Sequence, residues 1–149
     1  MNKRKNGKQE GYWEDYFPDG KIYSKGNYKD GNKEGYWEYY WDNGELFSKG
    51  NYKNGNRDGF WEWYWDSGKL QSKGNFKDGK QDGYWEWYWS NGNLSSKCNY
   101  KNGRMDGYLE WYYDNGNFYF IGSCKNRKEV GYWEYFHMNG VLQYKIFYF

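Results

Sequence analysis

The chain has 149 residues, with 22 basic against 20 acidic side chains, and aromatic residues make up 27% of it. Near-balanced charge does not suggest the clustered basic footprint of a typical nucleic-acid-binding protein, and no apolar run approaches the length of a membrane span. Scarce aliphatics alone would suggest disorder, but the twenty Tyr and eleven Trp can each hide about 150–250 Å², so any core is aromatic.

Residues 1–10 are polar and contain no apolar h-region, so no signal peptide is expected and the location implied is cytoplasmic. Within them, KNGKQE (5–10) matches the tail of the unit that follows and reads as an N-terminal cap. From Gly11 onward, Gly35, Gly59, Gly83, Gly107 and Gly131 recur at 24-residue intervals. The chain therefore reads as a single repeat domain, 1–149, with repeats 11–34, 35–58, 59–82, 83–106, 107–130 and a shortened 131–149.

Each repeat opens on an alternating run, numbered here from its first Gly. All eleven Trp fall on positions 3, 5 and 7, position 4 is always Glu, and positions 2 and 6 are always Tyr or Phe. Period-2 alternation is the mark of a strand, with indoles on one face and the Tyr/Glu set on the other. Asn43-Gly44, Asn91-Gly92, Asn115-Gly116 and Asn139-Gly140, with Asp19-Gly20 and Ser67-Gly68, then predict a two-residue type I′ hairpin turn.

That turn sets the register. In the third repeat it pairs Trp65 with Leu70, Trp63 with Ser72, Glu62 with Lys73 and Trp61 with Gly74. Glu14–Lys25, Glu38–Lys49, Glu86–Lys97 and Glu134–Lys145 face each other likewise, whereas Glu110 faces Ile121. In the first three repeats the Trp at position 3 covers the Gly at position 16. A second turn (Asp30-Gly31, Asn54-Gly55, Asp78-Gly79, Asn102-Gly103) returns the chain to the next repeat. The fold expected is all-β: an elongated, twisted, mostly single-layer antiparallel meander of about twelve strands.

The phrase G-x-W-x-x-Y-x-x-N-G-x-L-x-x-x-G-x-Y-x-x-G, recurring over residues 5–149, resembles the MORN-type repeat, in form nearest the bacterial YwqK-family antitoxin-like variant. Repeat five departs by losing its second turn glycine at Arg127. The resemblance implies an all-β hairpin scaffold that binds partners, eukaryotic relatives being linked to membrane-associated scaffolding and dimerisation. It brings no catalytic motif.

The residues agree in suggesting no enzyme and no cofactor. His137 is the only histidine and occupies an aromatic slot, and two Cys without a second His make a transition-metal site improbable. The Glu ladder opposite Lys does not suit a glycosidase carboxylate pair. Cys98, in a Gly slot, and Cys124, in a Tyr/Phe slot, are separated by an intervening strand and should remain unbridged, buried thiols.

Trp density peaks in repeats three and four. The partner-binding set proposed from the sequence is Trp61, Trp63, Trp65, Trp85, Trp87, Trp89 and Trp111, facing a protein partner such as a toxin or effector. The alternatives are a carbohydrate or choline ligand on the aromatic faces and anionic lipid at the position-19 lysines (Lys29, Lys53, Lys77, Lys101, Lys125). Single-stranded nucleic acid is disfavoured because acids interleave the lysines.

Overall fold

The computed structural model describes residues 2–149. Thirteen strands and no helix form there: β1 (Lys3–Lys5), β2 (Lys8–Tyr16), β3 (Ile22–Lys29), β4 (Asn32–Tyr40), β5 (Leu46–Lys53), β6 (Asn56–Tyr64), β7 (Leu70–Lys77), β8 (Lys80–Tyr88), β9 (Leu94–Lys101), β10 (Arg104–Tyr112), β11 (Phe118–Lys125), β12 (Lys128–Phe136) and β13 (Leu142–Tyr148). They join in chain order as one antiparallel sheet. The strand beyond the expected twelve is β1, which pairs with β2 through Lys5↔Lys8 and closes the N-terminal cap as a hairpin.

Two compact units divide the chain. The first runs to Leu70 and includes Phe76–Lys80; the second comprises Gln71–Asn75 and Gln81–Phe149. Within each, the same hairpin recurs, and its register comes from three backbone devices.

The first turn differs from the expected type I′. Trp65 N–H donates to the Lys69 carbonyl (2.8 Å) and Gly68 N–H to the Trp65 carbonyl (2.9 Å), so Trp65 pairs with Lys69 and not with Leu70. The loop is three residues long, a type I turn closed by a left-handed glycine. Only the glycine needs φ > 0 (Gly44, 90°), and Asn43 does not adopt it. The asparagine is there for its side chain. Asn43 Oδ1 accepts from Glu45 N–H (2.9 Å), and its Nδ2 donates to the Asp66 carbonyl in the next turn along (2.8 Å).

A bulge then restores the anticipated body register. In the first hairpin the pairs step from Tyr16↔Ile22 to Asp15↔Ser24, leaving Tyr23 unopposed. Below that step the expected pairs hold: Glu14↔Lys25 and Trp13↔Gly26, Glu38↔Lys49 and Trp37↔Gly50, Glu86↔Lys97, and Glu134↔Lys145. The one-residue error at the turn and the bulge cancel.

The type I′ turn occurs at the second connection. Asp30 (φ 52°) and Gly31 (φ 85°) are both left-handed, and Lys29 pairs with Asn32 across them. Arg127 takes the same conformation (φ 71°) in the slot where the other repeats place glycine.

The third device is the Gly that opens each repeat. Between β3 and β4 the register jumps from Asn27↔Glu34 to Lys25↔Glu38, which leaves two surplus residues on β4 beside the left-handed Gly35 (φ 70°). This bulge swings the position-3 indoles of repeats two, three, four and six onto the preceding repeat. Trp37 lies on Gly26, Trp61 on Gly50, Trp85 on Gly74 and Trp133 on Gly122; a Cβ on Gly50 would sit 2.3 Å from Trp61 Cδ2. The indole therefore covers the glycine of the neighbouring repeat, and not the one within its own hairpin.

Each of these indoles also donates to a carbonyl ten residues back: Trp37 to Asn27 (3.1 Å), Trp61 to Asn51 (2.9 Å), Trp85 to Asn75 (3.0 Å). The core is thus a row of inter-repeat staples. Trp37 and Trp61 are 0% exposed, and burying an aromatic side chain of that kind stabilises by roughly 1.5–3 kcal/mol.

The Glu/Lys ladder on the opposite face is also inter-repeat. Lys25 bridges Glu38 (2.8 Å), Lys49 bridges Glu62 (3.0 Å), Lys73 bridges Glu86 (2.8 Å) and Lys97 bridges Glu110 (2.6 Å). Glu110, which has only Ile121 opposite within its own hairpin, is thereby paired after all. Glu134 bonds its own Lys145, since Ile121 occupies the lysine position before it. Flanking tyrosines donate to the same carboxylates, as Tyr88 does to Glu86 (2.6 Å).

Candidate aromatic binding site

The seven candidate indoles do not share one environment. Trp61 and Trp85, at position 3, are 0% and 2% exposed and are committed to the staples. Trp63, Trp65 and Trp87 are half-buried. Trp89 and Trp111 reach solvent, at 36% and 39%.

In the first unit the Trp face is capped by the chain's own cations. Lys33 Nζ stands 4.3 Å from the Trp37 ring centroid and donates to the Tyr39 hydroxyl (2.6 Å). Desolvation among those rings holds its ammonium below the usual lysine range. One repeat on, Arg57 lies 5.0 Å over Trp61 and 5.3 Å over Trp63. These cation–π caps sit at position 23, a slot that carries neutral Gln81 and Met105 in the third and fourth repeats. The sequence held this signal in the residue types at position 23, but it lies outside the aromatic run and was not part of the candidate set.

In the second unit repeat five breaks the pattern. Leu109 stands where the staple indole should be and is 4% exposed, paired across the strands with Cys98. The two substitutions belong together: a Trp at 109 requires a bare backbone at 98, and a Leu leaves room for a thiol. Cys98, Leu109, Cys124 and Trp133 form a buried cluster. Both thiols are free, and burial pushes that of Cys98 up to about 11, so each is a small apolar filler and a poor nucleophile.

Leu109 replaces an indole with a smaller side chain, and a cavity of about 330 Å³ opens there, between Trp87 and Trp111. A more open cleft of about 380 Å³ also has Trp111 in its wall, together with Trp89, Tyr113, Tyr119 and Met138. Trp89 is exposed for a local reason. The bulge residue packs a ring on position 7 in other repeats, as with Trp41–Phe47 (centroids 4.6 Å apart) and Tyr113–Tyr119 (4.9 Å), but beside Trp89 it is Ser95. Of the seven candidates, the second unit brings Trp87, Trp89 and Trp111 to two clefts that share Trp111. Leu109, Ser95, Tyr113 and Tyr119 complete them, and the sequence signal for the first two was departure from the repeat.

Chemically these clefts offer apolar area and ring faces with few polar groups. Among the described residues, no group of three or more His, Cys, Asp or Glu is arranged to hold a metal ion. Position-4 carboxylates are engaged by lysine, as Glu62 by Lys49, by tyrosine, as Glu14 by Tyr12, or by both, as Glu86 by Lys73 and Tyr88. Burial alone would raise the Glu86 carboxyl, but hydrogen bonds from Lys73 and Tyr88 outweigh it and hold it below the usual range.

The MORN repeat variant family matches the chain five times, over residues 9–30, 33–54, 57–78, 81–102 and 129–149. The stretch between the fourth and fifth matches contains Leu109 and Trp111. No curated protein matches the chain.

Proposed function

Because the chain belongs to the MORN repeat variant family, whose hairpins are commonly binding or scaffold modules, we propose that it is a non-catalytic protein that binds a protein partner through the exposed aromatics of repeats four and five. The observation that carries this reading is the pair of clefts around Trp111. Exposed indoles beside concave apolar surface are the usual anchors of protein interfaces. The antitoxin-like resemblance gives the partner a class, a toxin or secreted effector met in the cytoplasm. Two free buried thiols suit that reducing compartment.

The test is capture by the tagged chain from a lysate of its native host, with the retained protein identified by mass spectrometry. A specific protein should be retained by the wild type and by Tyr12→Ser, and lost with Trp89→Ser or Trp111→Ser. Equal retention by all four would place the interface elsewhere. Saturable binding of an oligosaccharide or of choline at low millimolar concentration, abolished by Trp111→Ser, would replace the protein partner with a small ligand.

A further inference from the structure

The aromatic stack on the Trp face shows what the cavity at Leu109 is shaped to hold. In the first unit the Trp61 ring lies 6.4 Å from Tyr39 and 5.6 Å from Trp63, nearly parallel to the latter. Tyr52 meets it edge-on at 5.0 Å, Arg57 caps it, and Gly50 lies beneath it. Moving 48 residues along the repeat converts that set to Trp87, Trp111, Tyr100, Met105 and Cys98, with Leu109 in place of the indole. Those six residues line the cavity. The second unit has thus kept the surroundings of a buried tryptophan and lost the tryptophan.

We propose that this gap receives a neutral aromatic side chain, a Trp or Tyr, from the protein partner, inserted between the Trp87 and Trp111 rings. The inference rests on the partner being a protein and specifies which group of it is recognised. Three features select the occupant. The walls are rings of the kind that hold Trp61 at centroid spacings favourable for aromatic pairs. The cap is Met105 where the equivalent indole has Arg57, so the cation that caps Trp61 has no counterpart at this position, and a thioether adapts to an entering ring. Ser95, in a slot held by Tyr or Phe in repeats one, two and five, leaves the rim open. A cavity of about 330 Å³ is at the small end of ligand sites and large enough for one aromatic side chain.

The test uses two probes, 5-fluoroindole for the ring alone and N-acetyl-5-fluorotryptophanamide for the ring carried on a backbone, each followed by fluorine NMR on the full chain. Wild type should bind both saturably. The double variant C98G/L109W, which restores the pair found at Gly50 and Trp61, should bind both at least about tenfold more weakly while melting no lower than wild type. Should that variant misfold, Ser95→Phe closes the same rim and should weaken both probes. Binding of fluoroindole without the amide would assign the cavity to a free small molecule and overturn the side-chain proposal. So would equal binding by wild type and the filled variants, or no saturable binding at all. A failed lysate capture beside successful probe binding would count against the partner reading alone, and the reverse outcome against the cavity alone.

Discussion

At the scale of single residues, the position-16 glycines do the most for the least mass. Gly50 is required because Trp61 occupies the volume a Cβ would take, at 2.3 Å, and not because of its dihedral angles. Gly50→Ala should therefore destabilise the protein by about 1–3 kcal/mol, the usual cost of overpacking. Adding Trp61→Leu should cost less than the separate effects summed, because the alanine and the indole compete for one space. Chemical denaturation of the two singles and the double closes the cycle, and strict additivity would refute the steric account. Cys98 and Leu109 are the same exchange already present in the chain. Their coupling was invisible in the sequence because the glycine expected beneath each indole was the one in its own hairpin, whereas the opening-glycine bulge shifts the contact to the repeat before.

At the scale of the strand, the alternation of positions 2–7 and the body register were legible from the sequence, and Glu14↔Lys25 and Glu38↔Lys49 fall where expected. What was not legible is which of two flanking lysines a carboxylate chooses, because one strand of β-structure offers a neighbour on each side. Turn chemistry was read from the Asn-Gly pair, which fits two different loops; the side-chain bonds of Asn43 decide it. The ladder has a pH signature. The Glu86 carboxyl titrates below its ordinary 4.5, so its contribution is present above that value and is lost as pH falls through the folded-state value. Glu86→Gln should lower stability near neutral pH by about 0.2–1 kcal/mol, the range of a cross-strand pair. The gap between variant and wild type should close progressively below about pH 4.5. Urea titrations at several pH values read this directly, and a gap independent of pH would show that the charge plays no part.

At the scale of the whole molecule, the repeat divides the indoles into two classes with different duties. Position 3 holds repeats together, whereas Trp89 and Trp111 of repeats four and five reach solvent, where we propose that a partner binds. The sequence located the density of tryptophan but not this division, since burial depends on the bulge and on the residues at positions 13 and 23. Repeat five, the least regular, carries the features that a scaffold of identical hairpins would lack: a missing staple, a filled glycine slot and an open rim. Function is read here from the departures, and stability from the repeats that surround them. Hydroxyl-radical footprinting with residue-level mass spectrometry tests that division most directly, on the free chain and on the chain bound to the protein it captures. Trp89 and Trp111 should be oxidised rapidly when free and protected when bound, while Trp37 and Trp61 stay protected in both. Oxidation of Trp61 at the rate of Trp111, or no protection of Trp111 in the complex, would contradict the account.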